Sequence, residues 1–157
     1  MLQNLETLVL RGRYYIELPK EISKLRKLRH LIGHRLSLIQ LKDGIGEMKS
    51  LQTLRRVSLD MDGAAEVIKG LGKLKLIRDL GLVDVQKENE RIFSSSINEM
   101  QHLNLISPPT MLQKLILRGR LKKFPEWMFD LQNLTVLRLE CPYSVKDPLQ
   151  SLKSLPC

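Results

Sequence analysis

Apolar residues along this chain follow a spacing that keeps starting over. Leu2-Leu5-Leu8-Leu10, Leu51-Leu54-Val57-Leu59, Leu74-Ile77-Leu80-Leu82 and Leu131-Leu134-Leu137-Leu139 all read apolar-x-x-apolar-x-x-apolar-x-apolar. With the second rung as a ruler, the ladder falls at Leu5, Leu28, Leu54, Ile77, Leu103, Leu112 and Leu134, in steps of 23, 26, 23, 26, 9 and 22 residues. A unit of this size has one short apolar edge and cannot bury it alone, so it must stack on its neighbours as a coil of a solenoid. The step of 9 is too short for a coil and marks a vestigial or shortened unit near residues 100–111, followed by the turn signal Ser107-Pro108-Pro109.

Within each coil the end of the ladder alternates with period two, which predicts a strand. In residues 7–11 Leu8 and Leu10 point inward, while Thr7, Val9 and Arg11 face out. The return path is less regular. Leu18-Pro19-x-x-Ile22-x-x-Leu25 predicts a helical or 3₁₀ turn with Pro at its start, and Phe124-Pro125-x-x-Met128-x-x-Leu131 repeats it. Residues 64–69, between two glycines, predict a short helix, residues 94–100 a second, and residues 86–91 an exposed loop. The sum is an α/β leucine-rich-repeat solenoid over residues 1–157. It has about six to seven repeats, a curved parallel sheet on the concave face, and short helical or irregular turns on the convex face. Leu137, in the best-formed late ladder, is an expected core position. No polar cap precedes Leu2 or follows Leu155-Pro156-Cys157, so the isolated chain is expected to fray.

Two strings nearly repeat: Leu8-Val9-Leu10-Arg11-Gly12-Arg13 and Leu115-Ile116-Leu117-Arg118-Gly119-Arg120. Each precedes an apolar-Pro pair, and the shared glycine is expected to permit a bend where the strand leaves the sheet.

Composition narrows the function classes. Apolar residues make up 43% of the 157 residues, enough for a core, but aromatics only 4%. The core must be aliphatic, and the stacking platforms of single-stranded nucleic-acid binders are missing. The net charge of +9 sums to +5 over residues 1–50, zero over 51–100 and +4 over 101–157. Such a balance suits an acidic partner, a membrane surface or nucleic acid, and equally serves solubility alone; an acidic protein partner is expected, and nucleic acid is disfavoured, since the strands offer neither a groove-reading helix nor interleaved aromatics. Cys141 and Cys157 form no CxxC, which excludes a disulfide-rich scaffold and a zinc site of usual spacing. No secretory leader and no run of 18 apolar residues is visible, so a cytoplasmic location without a membrane span is expected.

Outward strand positions are the candidate protein-binding residues: Arg11, His30, His34, Arg56, Asp60, Asp79, Lys114, Arg118, Arg138 and Glu140. Arginine offers a planar fork for carboxylates. His30 and His34 have the spacing of a helical zinc pair, but on a strand they lie about 13 Å apart, so no metal is assigned. Cys141 lacks a His or Asp partner for nucleophilic catalysis and reads as structural. Trp127 reads as packing on the convex turn, and the Asn133-Leu134-Thr135 sequon as unused. No catalytic residue, cofactor or small-molecule substrate is assigned.

The residues Pro108-Pro109-Thr110-Met111-Leu112-Gln113-Lys114-Leu115, Leu117-Arg118-Gly119-Arg120-Leu121, Pro125-Glu126-Trp127 and Leu131-x-Asn133-Leu134-x-x-Leu137-x-Leu139 resemble the repeat region of plant intracellular nucleotide-binding leucine-rich-repeat immune receptors. The branch with a coiled-coil N-terminus is the nearest. Ile45-Gly46-x-Met48-x-x-Leu51-Gln52-Thr53-Leu54 and Asp147-Pro148-Leu149-x-x-Leu152 point the same way. The resemblance implies a non-catalytic recognition module that senses a pathogen or host protein and restrains a nucleotide-binding module. The phosphate-cradling string GxxxxGK(S/T) of that module does not occur, so nucleotide exchange does not carry over. Competing readings are a ubiquitin-ligase substrate adaptor, which needs an F-box-like segment before the repeats, and an inactive gene fragment. An extracellular ectodomain would carry L-x-G-x-I-P and flanking cysteine pairs, where this chain has Leu18-Pro19-x-x-Ile22.

Overall fold

The computed structural model describes residues 2–60, 62–86, 92, 111–119 and 131–140. Among these residues seven strands form one parallel sheet: β1 (Thr7–Val9), β2 (Ile16–Glu17), β3 (His30–Ser37), β4 (Thr53–Ser58), β5 (Asp79–Val85), β6 (Lys114–Gly119) and β7 (Val136–Glu140). Their order is β1-β3-β4-β5-β6-β7, with β2 also pairing with β3, so strands stack in chain order, as a solenoid requires.

Two backbone signatures recur among the described residues. A tight turn precedes the strand, with the amide of Leu5, Leu28, Leu51, Ile77 or Leu134 bonded to the carbonyl three residues earlier. One carbonyl then receives two consecutive amides of the next coil. Glu6 accepts from Arg29 and His30, Arg29 from Gln52 and Thr53, and Gln52 from Arg78 and Asp79. Arg78 accepts from Gln113 and Lys114, and Gln113 from Thr135 and Val136. This chain of shared carbonyls sets every strand at the same height.

It also corrects the ruler. Leu54 pairs with Leu31 and Leu80, which are third rungs. The second rung of the third coil is therefore Leu51, and the ladder there begins at Met48. Because β5 pairs directly with β6, the span from Ile77 to Leu112 is a single step of 35 residues in the sheet. Residues 93–110, which hold Leu103 and the expected helix at 94–100, lie outside the described residues, as do Trp127, Cys141 and the second apolar-Pro turn.

Among the described residues the core is aliphatic. Leu28, Leu31, Leu51, Leu54, Leu80, Leu112 and Leu115 are wholly buried. On the return side Pro19, in extended conformation, leads into a 3₁₀ turn at Lys20–Lys24, and two more follow at Ile39–Leu41 and Ile45–Glu47. The expected short helix is α1 (Ala64–Gly72); it buries Ala64, Val67, Ile68 and Leu71, the three-four spacing of a one-sided helix. The expectation for Leu137 fails: it is 39% exposed, because among the described residues β7 has a neighbour only on its β6 side.

Strands β3, β4 and β5 carry extra residues. Arg55 and Arg56 stand opposite Gly81, and Val83 and Asp84 stand opposite Arg118. Gly33, His34 and Arg35 widen β3 before Leu36. Each bulge leaves a residue off the ladder and bends its strand. Arg56 (φ 62°) and Asp84 (φ 57°) take the left-handed conformation at these bulges. The two similar strings part company here. A Cβ on Gly119 would lie 2.3 Å from the Val85 carbonyl oxygen, whereas one on Gly12 would meet only the Ile16 side chain at 3.4 Å. Gly119 is thus required by the close approach of β6 to the bulged β5, and Gly12 is not.

Candidate protein-interaction face

The outward positions of the strands form rows across the sheet. Thr7, His30, Thr53, Asp79, Lys114 and Val136 make the first. Val9, Ile32 and Arg55 begin the second, which continues beyond the β4 bulge as Gly81, Ile116 and Arg138. Adjacent strands lie about 4.8 Å apart, so neighbours in a row can touch.

On β3 to β5 two arginines are held by carboxylates. Arg55 donates from Nε to Asp79 Oδ2 at 2.9 Å and again from Nη2. The hydrogen bond to Asp79 raises the Arg55 pKa above its usual value, against the opposing effect of burial. Asp79 Oδ1 is buried with no partner among the described residues, so Arg55 supplies the carboxylate's compensation. Arg35 reaches across β4. Its Nη2 donates to Asp84 Oδ2 and to the Tyr15 hydroxyl, each at 2.6 Å, and its guanidinium lies 4.2 Å from the centre of the Tyr15 ring. Buried Ser58 on the intervening strand donates to the same Asp84 oxygen at 2.8 Å. The hydrogen bond to Asp84 raises the Arg35 pKa. The left-handed turn at Asp84 is what brings its carboxylate to this junction.

Other charges, from Arg56 on β4 to Arg138 on β7, stand free. Arg56, Lys114 and Arg138 have no ion-pair partner among the described residues, and Arg118 meets Glu140 only at 4.0 Å with both side chains about half exposed. An exposed pair at that distance contributes little. These cations line a shallow depression of about 240 Å³ floored by Gly81 between Ile32 and Ile116.

The candidate residues therefore separate. Arg56, Lys114, Arg118, Arg138 and Glu140 come together around the depression. His30 is half buried in the first row, its Nδ1 3.0 Å from Thr53 Oγ1. His34 is exposed in the widened stretch of β3, and Arg11 is exposed beyond β1. Asp60 lies past β4 in a second depression of about 270 Å³ with Tyr15, Glu17, Ser37 and Ser58. Asp79 is taken up by Arg55. The sequence reading missed Tyr15, Arg35, Thr53, Arg55 and Asp84. Starting the third ladder at Met48 would have exposed Thr53 and Arg55; nothing local points to Arg35 and Asp84, 49 residues apart.

Among the described residues no helix is long and apolar enough to cross a membrane, and no three His, Cys, Asp or Glu side chains gather as a metal site.

The whole chain, residues 1–157, matches the family described as leucine-rich repeat region. It is 29% identical over 128 residues to disease resistance protein RPM1 of Arabidopsis thaliana, covering 71% of this chain and 13% of the relative. It is 25% identical over 211 residues to disease resistance protein PIK6-NP of Oryza sativa subsp. japonica, covering 99% of this chain and 20% of the relative. Disease resistance protein RPP13 of Arabidopsis thaliana is 25% identical over 166 residues, with coverage of 99% and 18%. No solved structure matches. The chain thus spans 13 to 20% of the length of these relatives. A parallel sheet stacked in chain order, an aliphatic ladder and this likeness agree: the chain belongs to the leucine-rich repeat family and is homologous to part of plant disease resistance proteins.

Proposed function

We propose that the chain acts as a non-catalytic, cytoplasmic protein-recognition module of a plant immune receptor. In this reading it restrains a nucleotide-binding module at rest and senses a pathogen or host protein. The observation that carries it is the cluster of unpaired cations on the open sheet face, beside arginines already committed to Asp79 and Asp84. A surface of one sign on a rigid sheet selects a complementary surface and speeds its approach.

The test is binding of the chain to a separately expressed nucleotide-binding module of a related resistance protein, and to duplex DNA, over a salt series. Binding to the module should weaken with salt, because exposed charges are screened over about 8–10 Å. Joint replacement Arg118→Glu and Arg138→Glu should abolish it. Persistence in the double variant, or tighter binding to DNA, would refute the assignment.

A further inference from the structure

Arg55 and Arg56 are adjacent and identical, yet the fold gives them opposite fates. Arg55 turns along the sheet and is held by Asp79. Arg56 is exposed, has no hydrogen bond or ion pair among the described residues, and sits at φ 62°. A side chain enters that left-handed region against steric resistance from its own Cβ, and among the described residues no hydrogen bond or ion pair of the Arg56 side chain offsets it.

The neighbouring strand is shaped to the same end. Gly81 lies under the β4 bulge, where a Cβ would stand 3.3 Å from the Arg56 amide nitrogen and 3.4 Å from the Arg55 Cα. Any larger residue would press on the bulge and fill the floor of the depression. Left-handed Arg56 and bare Gly81 together raise a free guanidinium over an open notch, with Ile32 and Ile116 on either side and Lys114 and Arg138 beyond.

We propose that Arg56 is the anchor of this face, and that its fork grips a carboxylate of an acidic protein segment seated over Gly81. This rests on the acidic-partner reading above and adds the residue that would dominate it. Charge complementarity selects the occupant: Arg56, Lys114 and Arg138 at the notch have no ion-pair partner among the described residues, Arg118 meets Glu140 only at 4.0 Å, and cations outnumber the single carboxylate of Glu140 along its lining. The planar fork suits a carboxylate at two points, which distinguishes Arg56 from Lys114.

The experiment uses the 157-residue chain and a fluorescein-labelled oligoglutamate peptide as probe, read by fluorescence anisotropy beside thermal melting. Arg56→Gly should weaken probe binding about tenfold or more, the loss expected for a charge-assisted bond, without lowering the melting temperature, since glycine relaxes the left-handed turn. Lys114→Ala and Arg138→Ala should each weaken it less than about threefold, as peripheral charges do. Arg55→Gln should lower the melting temperature, because it removes the donor that holds Asp79. The inference fails if Arg56→Gly costs no more affinity than Lys114→Ala, if it lowers the melting temperature as Arg55→Gln does, or if duplex DNA binds more tightly than oligoglutamate. If the Arg118→Glu, Arg138→Glu double variant loses the probe while Arg56→Gly keeps it, the acidic-partner reading survives and the anchor does not. If neither change matters, both fall.

Discussion

Strands β3 to β5 and strands β6 to β7 carry the same ladder and end in different states. In the first region Leu31, Leu54 and Leu80 are fully buried, and Arg35 and Arg55 are held by carboxylates across the strands. In the second, burial falls from complete at Leu115 to 39% exposure at Leu137, and Lys114 and Arg138 have no ion-pair partner among the described residues. The difference shows that a rung is buried by the coils on both sides of it and not by its own spacing. It also shows that one open sheet carries charge of two kinds: Arg35 and Arg55 are held by carboxylates of a neighbouring strand, while Arg56, Lys114 and Arg138 have no ion-pair partner among the described residues.

The largest effect should separate the two regions by core truncation. Leu54→Ala should destabilise the chain by about 2–5 kcal/mol, whereas Leu137→Ala should cost less than about half as much. Denaturant midpoints at unchanged slope would show it, and equal losses would mean that β7 is as well covered as β4.

The seam between the regions comes next. Gly119→Ala should cost about 1–3 kcal/mol, because its methyl group would run into the Val85 backbone. Gly12→Ala, in the near-identical string, should be close to neutral. A neutral Gly119→Ala in the same melts would show that β6 can move away from the bulge freely.

A smaller contrast lies in the arginines of the two regions. Arg55→Ala strips the partly buried Asp79 carboxylate of its donor and should cost about 1–3 kcal/mol. Arg138→Ala should change stability by less than about 0.5 kcal/mol. Similar costs for the two would erase the distinction between structural and available charge.

Much of the fold is legible in the leucines. Leu5, Leu28, Ile77, Leu112 and Leu134 fall where the strands require them, and Pro19 correctly announces a 3₁₀ turn. The third coil misleads for a physical reason. Met48, Leu51, Leu54 and Val57 are spaced by three, so two registers satisfy the same pattern, and only pairing of Leu54 with Leu31 and Leu80 chooses between them. The site was less legible. Arg55 and Arg56 differ in backbone angle and not in residue type, and Arg35 finds Asp84 only because two bulges bring strands β3 and β5 together over Ser58.

The shared carbonyls of Glu6, Arg29, Gln52, Arg78 and Gln113 carry a consequence for coil length. Successive second rungs lie 23, 23, 26, 35 and 22 residues apart, yet the strands meet at one height, since each coil is clamped to its neighbour just before its strand begins. Lengthening a return path from 22 to 35 residues costs only about 0.4 kcal/mol in loop-closure entropy. Insertions and deletions on that side are therefore nearly silent to the sheet. A coil can change length on its outer side while its strand stays in register with its neighbours.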